Sequence, residues 1–116
     1  MTLSRMAPVA PQYSKVVRHA GTVYLAGLIA EDWDGDIVRQ SNDIFSQIDD
    51  LLGQADTDKS KLLSLTVYIK TFEDYAAFKA AYADWIDADN LPARATVRAD
   101  LLDPKLKIEI QAIAAA

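Results

Sequence analysis

The stretch KLLSLTVYIK at residues 61–70 alternates strictly between two kinds of side chain. Leu63, Leu65, Val67 and Ile69 point one way, and Ser64, Thr66, Tyr68 and Lys70 point the other. A period of two predicts a β-strand with one buried face. Helical patterns with a single apolar stripe flank this strand, at residues 37–55 and 75–86. A strand between two such helices predicts a sheet covered by helices on one side only.

Two shorter apolar, β-branched segments precede the first helix. Residues 15–18 and 22–29 are predicted to form a hairpin, with its turn at Ala20-Gly21. Pro8 and Pro11 confine any earlier strand to residues 3–6, because proline cannot donate to a ladder. Residues 71–74 (TFED) are predicted to cap the second helix, with the threonine hydroxyl at its N-terminus.

Gly27 interrupts the second strand of that hairpin. A glycine inside a strand marks either a bulge or a place where another group approaches the backbone closely, and the pattern leaves both open. The segment 32–35 (DWDG) is predicted to be a loop anchored by Trp33, or alternatively a lid over a pocket. His19 has no second candidate ligand near it, so it is predicted to be a surface residue.

The end of the chain is predicted to form a second hairpin from residues 93–100 and 106–113, joined by residues 101–104. The resulting order is β-β-β-α-β-α-β-β, which predicts a two-layer α+β sandwich. In this hairpin Thr96 lies opposite Glu109, and Arg94 shares their polar face. Tyr24 and Tyr68 are placed on the same face. These groups are either cross-strand ion pairs on a solvated surface or a site, and another subunit can cover the bare face.

Composition excludes several classes of protein. The 116 residues correspond to one domain, residues 1–116. Twelve basic against 17 acidic residues give a net charge of −5, which argues against nucleic-acid binding. Zero cysteines and one histidine exclude thiolate zinc sites and multi-histidine metal sites. No apolar run approaches about 18 residues and the start does not resemble a signal peptide, so a cytoplasmic protein without membrane contact is expected.

Two motifs near the C-terminus resemble a known family. They are LPARATV at residues 91–97, which contains Arg94, and PKLKIEIQAIA at residues 104–114, which contains Glu109. Together they resemble the signature of the reactive intermediate deaminase family (Rid, also called YjgF-type). The resemblance extends more thinly to Tyr13, to YLAG at residues 24–27 and to the strand at residues 65–70.

The resemblance implies a chorismate-mutase-like fold that assembles as a homotrimer with ligand pockets between subunits. It implies hydrolysis of enamines and imines, such as 2-aminoacrylate, 2-iminopropanoate and 2-iminobutanoate, to 2-keto acids and ammonia without metal or cofactor. Arg94 would bind the substrate carboxylate through its planar fork, and Glu109 would position the attacking water. The implied substrate-binding residues are Tyr13, Gly27, Leu28 and Thr96.

Departures from the family pattern keep other functions open. Ala26-Gly27-Leu28 stands where better-known deaminases often have Ser-Gly-Gln, and Lys79 stands where they often have Asn. The alternative is a non-catalytic trimeric protein that binds a small carboxylate or regulates a partner. A nuclease or translation-inhibitor role, sometimes attached to family members by name, is opposed by the negative charge.

Overall fold

The computed structural model describes residues 2–116, and its element order is the predicted one. The strands are β1 (Ser4–Val9), β2 (Tyr13–His19), β3 (Thr22–Leu25), β4 (Leu62–Ile69), β5 (Ala93–Arg98) and β6 (Ile108–Ala115), and the helices are α1 (Ile37–Gln54) and α2 (Tyr75–Trp85). Short 3-10 turns precede β4 (Lys59–Lys61) and α2 (Phe72–Asp74). The predicted α+β class is confirmed.

The six strands form one sheet in the order β1-β2-β3-β6-β4-β5. The predicted hairpin of the last two strands is wrong, because β4 lies between them and pairs with β5 in parallel and with β6 in antiparallel. The chain leaves β4 through α2 and returns beside it, which is the crossover that parallel neighbours require. β6 then enters the gap between β3 and β4, so both of its edges are paired.

The N-terminal strands differ in extent from the prediction. β1 runs through Pro8, which pairs with Ser14, because β1 is an edge strand and proline is tolerated there. The β2–β3 hairpin is confirmed, with Ala20 and Gly21 both at positive φ in its two-residue turn. β3 ends at Leu25, four residues earlier than predicted.

Both helices pack on one face of the sheet and enclose the core. The stripe of α1 contributes Ile44, Ile48 and Leu52, all fully buried. The apolar residues of the last strand, Leu106, Ile108 and Ile110, predict exposed surface that favours a subunit contact, but all three are fully buried. The prediction of a subunit contact through these residues is wrong, since the helices already cover them. No helix within residues 2–116 is long and apolar enough to cross a membrane.

The opposite face of the sheet carries no helix, and we call it the open face. Tyr68 and Glu109 are direct cross-strand partners on it, and Tyr24 lies farther along opposite Ile113. The prediction that Tyr24, Tyr68 and Glu109 share a bare face is therefore confirmed. Large apolar side chains are exposed there, with Tyr24 at 45% and Val97 at 44% exposure. A face of this kind is typical of a surface that another molecule covers.

A buried glutamine links the loops at one end of the sheet. Gln40, on α1, is fully buried and its amide nitrogen donates to the carbonyls of Gly35 (2.9 Å), Lys105 (3.0 Å) and Trp33 (3.3 Å). Its amide oxygen accepts from the Lys107 N–H at 2.9 Å. Gln40 thus ties the loop containing Trp33 to the segment that leads into β6, whereas the Trp33 side chain, predicted to anchor this loop, is 39% exposed.

Candidate functional site

Arg94 lies on β5 and points toward α2. Its register partner on β4 is Leu65, a core residue, and neighbours in a sheet project to the same side. The guanidinium lies 4.7 Å from the centre of the Tyr82 ring and 5.6 Å from that of Phe78, and Nη2 donates to the Tyr75 hydroxyl at 3.1 Å. Stacking on aromatic faces and a fixed hydrogen bond hold the fork in one orientation.

The aromatic stripe of α2 supplies this setting. It was predicted to pack against the sheet, and Phe78 does so, fully buried. Tyr82 is half-buried, and burial raises the pKa of its hydroxyl while the nearby Arg94 cation opposes that rise. Within residues 2–116 no carboxylate forms a salt bridge with Arg94. The guanidinium is therefore rigidly placed and free to bind an anion.

A cleft of about 560 Å³ opens beside Arg94, and we call it the Thr96 cleft. Its lining residues are Ile69, Phe72, Tyr75, Thr96, Val97 and Arg98. The Thr96 hydroxyl is buried and has no hydrogen-bond partner within the described chain. A buried hydroxyl without a partner is costly, so it favours a ligand atom at this point. The predicted residues Arg94 and Thr96 do lie together.

Glu109 lies on the other side of the sheet, beside Gly27. A β-carbon built on Gly27 would overlap the Glu109 carboxylate and lie 3.2 Å from its Cδ. The register of the paired chains also changes by one residue between Tyr24–Ile113 and Leu28–Ile110. Both interpretations of Gly27 are therefore correct: it lies in a bulge, and another group approaches its backbone closely.

Two connected clefts surround Glu109, of about 490 and 280 Å³. Tyr68 and Gln111 line the larger, and Tyr13 lines the smaller. Leu102 lines both and is 91% exposed, which sequence analysis did not foresee as part of a site. The only feature of the sequence that could have indicated a role for Leu102 is a leucine beside the carboxylate of Asp103 in a predicted exposed connection.

Leu28 contributes less than predicted. Its side chain is buried in the core, its N–H donates to the Ile110 carbonyl at 2.8 Å, and its carbonyl accepts from the Ile110 N–H at 3.0 Å. The expectation that Leu28 offers backbone groups to a substrate is wrong, because β6 already occupies both of them. Gly27, beside it, remains in contact with the Glu109 clefts.

The predicted convergence of Arg94, Thr96 and Glu109 on one polar face is wrong. Tyr68, not Thr96, lies opposite Glu109, and Tyr68 in turn lies beside Val97. Arg94 lies three residues before Val97 on β5, and its side chain projects to the helix-covered side. Because β4 lies between β5 and β6, Arg94 is two strand spacings, or about 10 Å, from β6 across the sheet. The two groups therefore cannot meet within one chain.

Sequence comparison identifies the family. Residues 2–116 match the family model described as Endoribonuclease L-PSP. A RutC family protein of Haemophilus ducreyi is 36% identical over 107 residues, covering 92% of each chain. RutC family protein YoaB of Escherichia coli is 36% identical over 115 residues, covering 99% of each chain. The chain belongs to the YjgF/Rid family.

Solved structures of YjgF/Rid proteins and similar chains have the same fold. A member of the YjgF protein family from Neisseria meningitidis has a TM-score of 0.94 at 30% identity, covering 99% of this chain and 95% of that one. An uncharacterised protein from Pseudomonas aeruginosa also has a TM-score of 0.94, at 32% identity and 98% coverage of both chains. The YjgF/Rid resemblance carried by LPARATV and PKLKIEIQAIA is thus confirmed over the described chain.

Proposed function

We propose that this protein hydrolyses 2-imino acids and their enamine tautomers to 2-keto acids and ammonia. In this reaction Arg94 binds the substrate carboxylate and Glu109 positions the water. The observation that carries the proposal is the environment of Arg94. An arginine held by Tyr75 and Tyr82, without a carboxylate partner in residues 2–116, is prepared for bidentate binding of a small carboxylate.

The placement of Arg94 and Glu109 on opposite faces supports a site built from two copies of the chain. Arg94 and Thr96 of one copy would meet Glu109, Gly27 and Tyr13 of the next. The open face, with exposed Tyr24 and Val97 and no helix of its own, supports the same arrangement. A homotrimer with three such sites is the assembly we propose.

Each group has one task in the reaction. Arg94 holds the carboxylate and so orients the adjacent C=N carbon. Water attacks that carbon while Glu109 accepts its proton, and the tetrahedral carbinolamine then forms. Glu109 returns that proton to nitrogen, then accepts the carbinolamine hydroxyl proton and passes it to nitrogen as the C–N bond breaks, so that ammonia leaves and a C=O group remains. The Thr96 hydroxyl supplies a hydrogen bond to bound substrate, which accounts for its missing partner.

A second candidate is a protein of the same assembly that binds a small carboxylate without turning it over. The observation that favours it is at residues 26–28. Ala26 carries no polar side chain, and both backbone groups of Leu28 are used by Ile110. The Glu109 side of the pocket therefore has few groups for stabilising a transition state. Both candidates need Arg94, and only the hydrolase needs Glu109.

RNA cleavage, which the description of the matched family model names, fits this chain poorly. Seventeen acidic against 12 basic residues give a net charge of −5. Binding a polyanion depends on neutralising several phosphates with clustered lysine and arginine. Arg94 itself is enclosed by aromatic rings, a setting suited to a small anion.

The test is a coupled assay. An amino-acid oxidase generates the imine in solution, and the rate of its disappearance is followed with and without this protein. We expect acceleration by wild type and none by Glu109→Gln, with Glu73→Gln as a control that makes the same carboxylate-to-amide change at an exposed residue outside both Glu109 clefts. Equal rates with and without wild-type protein, for imines of several side chains, would contradict the hydrolase proposal and favour the carboxylate binder.

A further inference from the structure

Arg98 is a second arginine at the same cleft, and the proposed reaction gives it no role. It lies four residues after Arg94 on β5, with Thr96 between them, and all three project to the helix-covered side. Its side chain lines the Thr96 cleft. Like Arg94, it forms no salt bridge within residues 2–116.

Two unpaired cations on one face repel each other unless an anion lies between them. Four residues of strand place the Cα atoms of Arg94 and Arg98 about 13 Å apart. Both side chains are long and flexible enough to converge over Thr96 on a molecule with two separated negative charges.

The wall between the two arginines is apolar. Ile69 and Phe72 line it on the helix-covered side, and Phe72 is 78% exposed. Short methylene chains pack well on such a surface, while a charged end requires a cation or water. The cleft lining therefore offers the Arg98 cation and an apolar stretch that leads to Tyr75, the hydrogen-bond partner of Arg94.

We infer that Arg98 makes the site selective for imino acids with a second carboxylate in the side chain. The inference rests on the proposed function, since Arg94 takes the carboxylate next to the imine carbon. Arg98 then takes the side-chain carboxylate, and the methylene groups between the two carboxylates contact Ile69 and Phe72. The substrate class is the imines of acidic amino acids, whose hydrolysis yields dicarboxylic 2-keto acids.

The experiment compares two keto acids of five carbons that differ only in the second carboxylate, 2-oxoglutarate and 2-oxopentanoate. Their affinities are measured by calorimetry for wild type, Arg98→Gln, Arg98→Lys and Lys61→Gln. The last variant makes the same charge change at the far end of β4. We expect wild type and Lys61→Gln to bind 2-oxoglutarate at least about tenfold more tightly, and Arg98→Gln to lose that preference without weaker binding of 2-oxopentanoate.

Salt provides a second measurement that does not depend on a variant folding. Because Arg98 is exposed, the preference of wild type for 2-oxoglutarate should fall several-fold when sodium chloride is raised from about 0.05 M to about 0.5 M. Arg98→Lys keeps the charge and should retain part of the preference. Equal affinities of wild type for the two acids, or a full preference in Arg98→Gln, would overturn the inference. An Arg98→Gln variant with lower oligomer mass and unchanged preference would overturn it too, and would assign Arg98 to a subunit contact.

Binding and turnover separate this inference from the proposed function. If 2-oxoglutarate is preferred through Arg98 but no imine is hydrolysed, the hydrolase proposal fails and the selectivity stands. If imines made from glutamate and from norvaline are hydrolysed equally well, in wild type and Arg98→Gln alike, the hydrolase proposal stands and the selectivity fails.

Discussion

The carboxylate of Glu109 lies so close to Gly27 that residue 27 has no room for a β-carbon. This contact joins β6 to the bulge that follows β3, and it defines one wall of the clefts around Glu109. The proposed water-positioning group is therefore held against backbone on one side and open to Tyr13 and Leu102 on the other.

Gly27→Ala should displace the Glu109 carboxylate, because a methyl group would overlap it. We expect turnover of imines to fall at least about tenfold while the far-ultraviolet circular dichroism spectrum is unchanged. Gly53→Ala is the matched control, since a β-carbon there meets nothing within 4 Å and alanine is favoured near a helix end. If Gly27→Ala is as active as Gly53→Ala, Glu109 does not depend on this contact.

Arg94→Lys should weaken binding of keto acids although it keeps the charge. A lysine cannot form the bidentate pair or stack on Tyr82 in the same way. The loss should be about 2–3 kcal/mol, or roughly 30- to 150-fold in Kd, measured by calorimetry. Arg5→Lys, the same change at an exposed residue of the edge strand β1, serves as the control. Wild-type affinity in Arg94→Lys would show that another group binds the carboxylate.

Glu109→Gln should separate the hydrolase from the carboxylate binder. The substitution keeps side-chain volume and removes the proton acceptor, so turnover should fall roughly 100-fold or more. Affinity for a keto acid, which needs no activated water, should change little. A solvated surface role for Glu109 predicts unchanged turnover and a stability change below about 1 kcal/mol, which a melting curve on the same protein measures.

A mixture of two inactive variants should regain activity if the site is shared between subunits. Arg94→Ala and Glu109→Gln are denatured, mixed in equal amounts and refolded together. Each site takes Arg94 from one subunit and Glu109 from the next. In trimers assembled at random, half of the sites have an intact Arg94 and half of those also have an intact Glu109, so about a quarter of wild-type turnover is expected. Each variant refolded alone is the control. If the mixture is no more active than either variant refolded alone, the site is not shared between subunits, and the proposed assembly is wrong.

Gln40→Leu should destabilise the fold without touching Arg94 or the Thr96 cleft. It removes four hydrogen bonds, which leaves the Lys107 N–H and the carbonyls of Trp33, Gly35 and Lys105 without this partner. We expect a loss of about 2–4 kcal/mol in the free energy of unfolding, measured with urea. Gln54→Leu, where the exposed amide bonds only Asp50, should change it by less than about 0.5 kcal/mol.

Periodicity predicted the elements well where the pattern was long. The stripe of α1 and the alternation of β4 lie within a residue of their predicted bounds. The ends of β1 and β3 were less predictable, because an edge strand tolerates Pro8 and the bulge at Gly27 ends regular pairing early. Thr71 does not cap α2 as predicted: a 3-10 turn intervenes, and its hydroxyl bonds the Asp74 carboxylate instead.

The sequence by itself determined which segments form helices and strands and which motifs carry the family signature, since both depend on residues close together in the chain. Burial was predicted less well: Leu63, predicted on the buried face of β4, is 50% exposed because the strand is irregular between Leu62 and Ser64. Only the tertiary structure decided that β6 lies between β3 and β4, and hence that Arg94 and Glu109 occupy opposite faces. The alternation within β5 and β6 is the same for a hairpin as for strands separated by β4. Strand order follows from the crossover through α2 and from burial of both edges of β6, and neither is encoded in a local pattern.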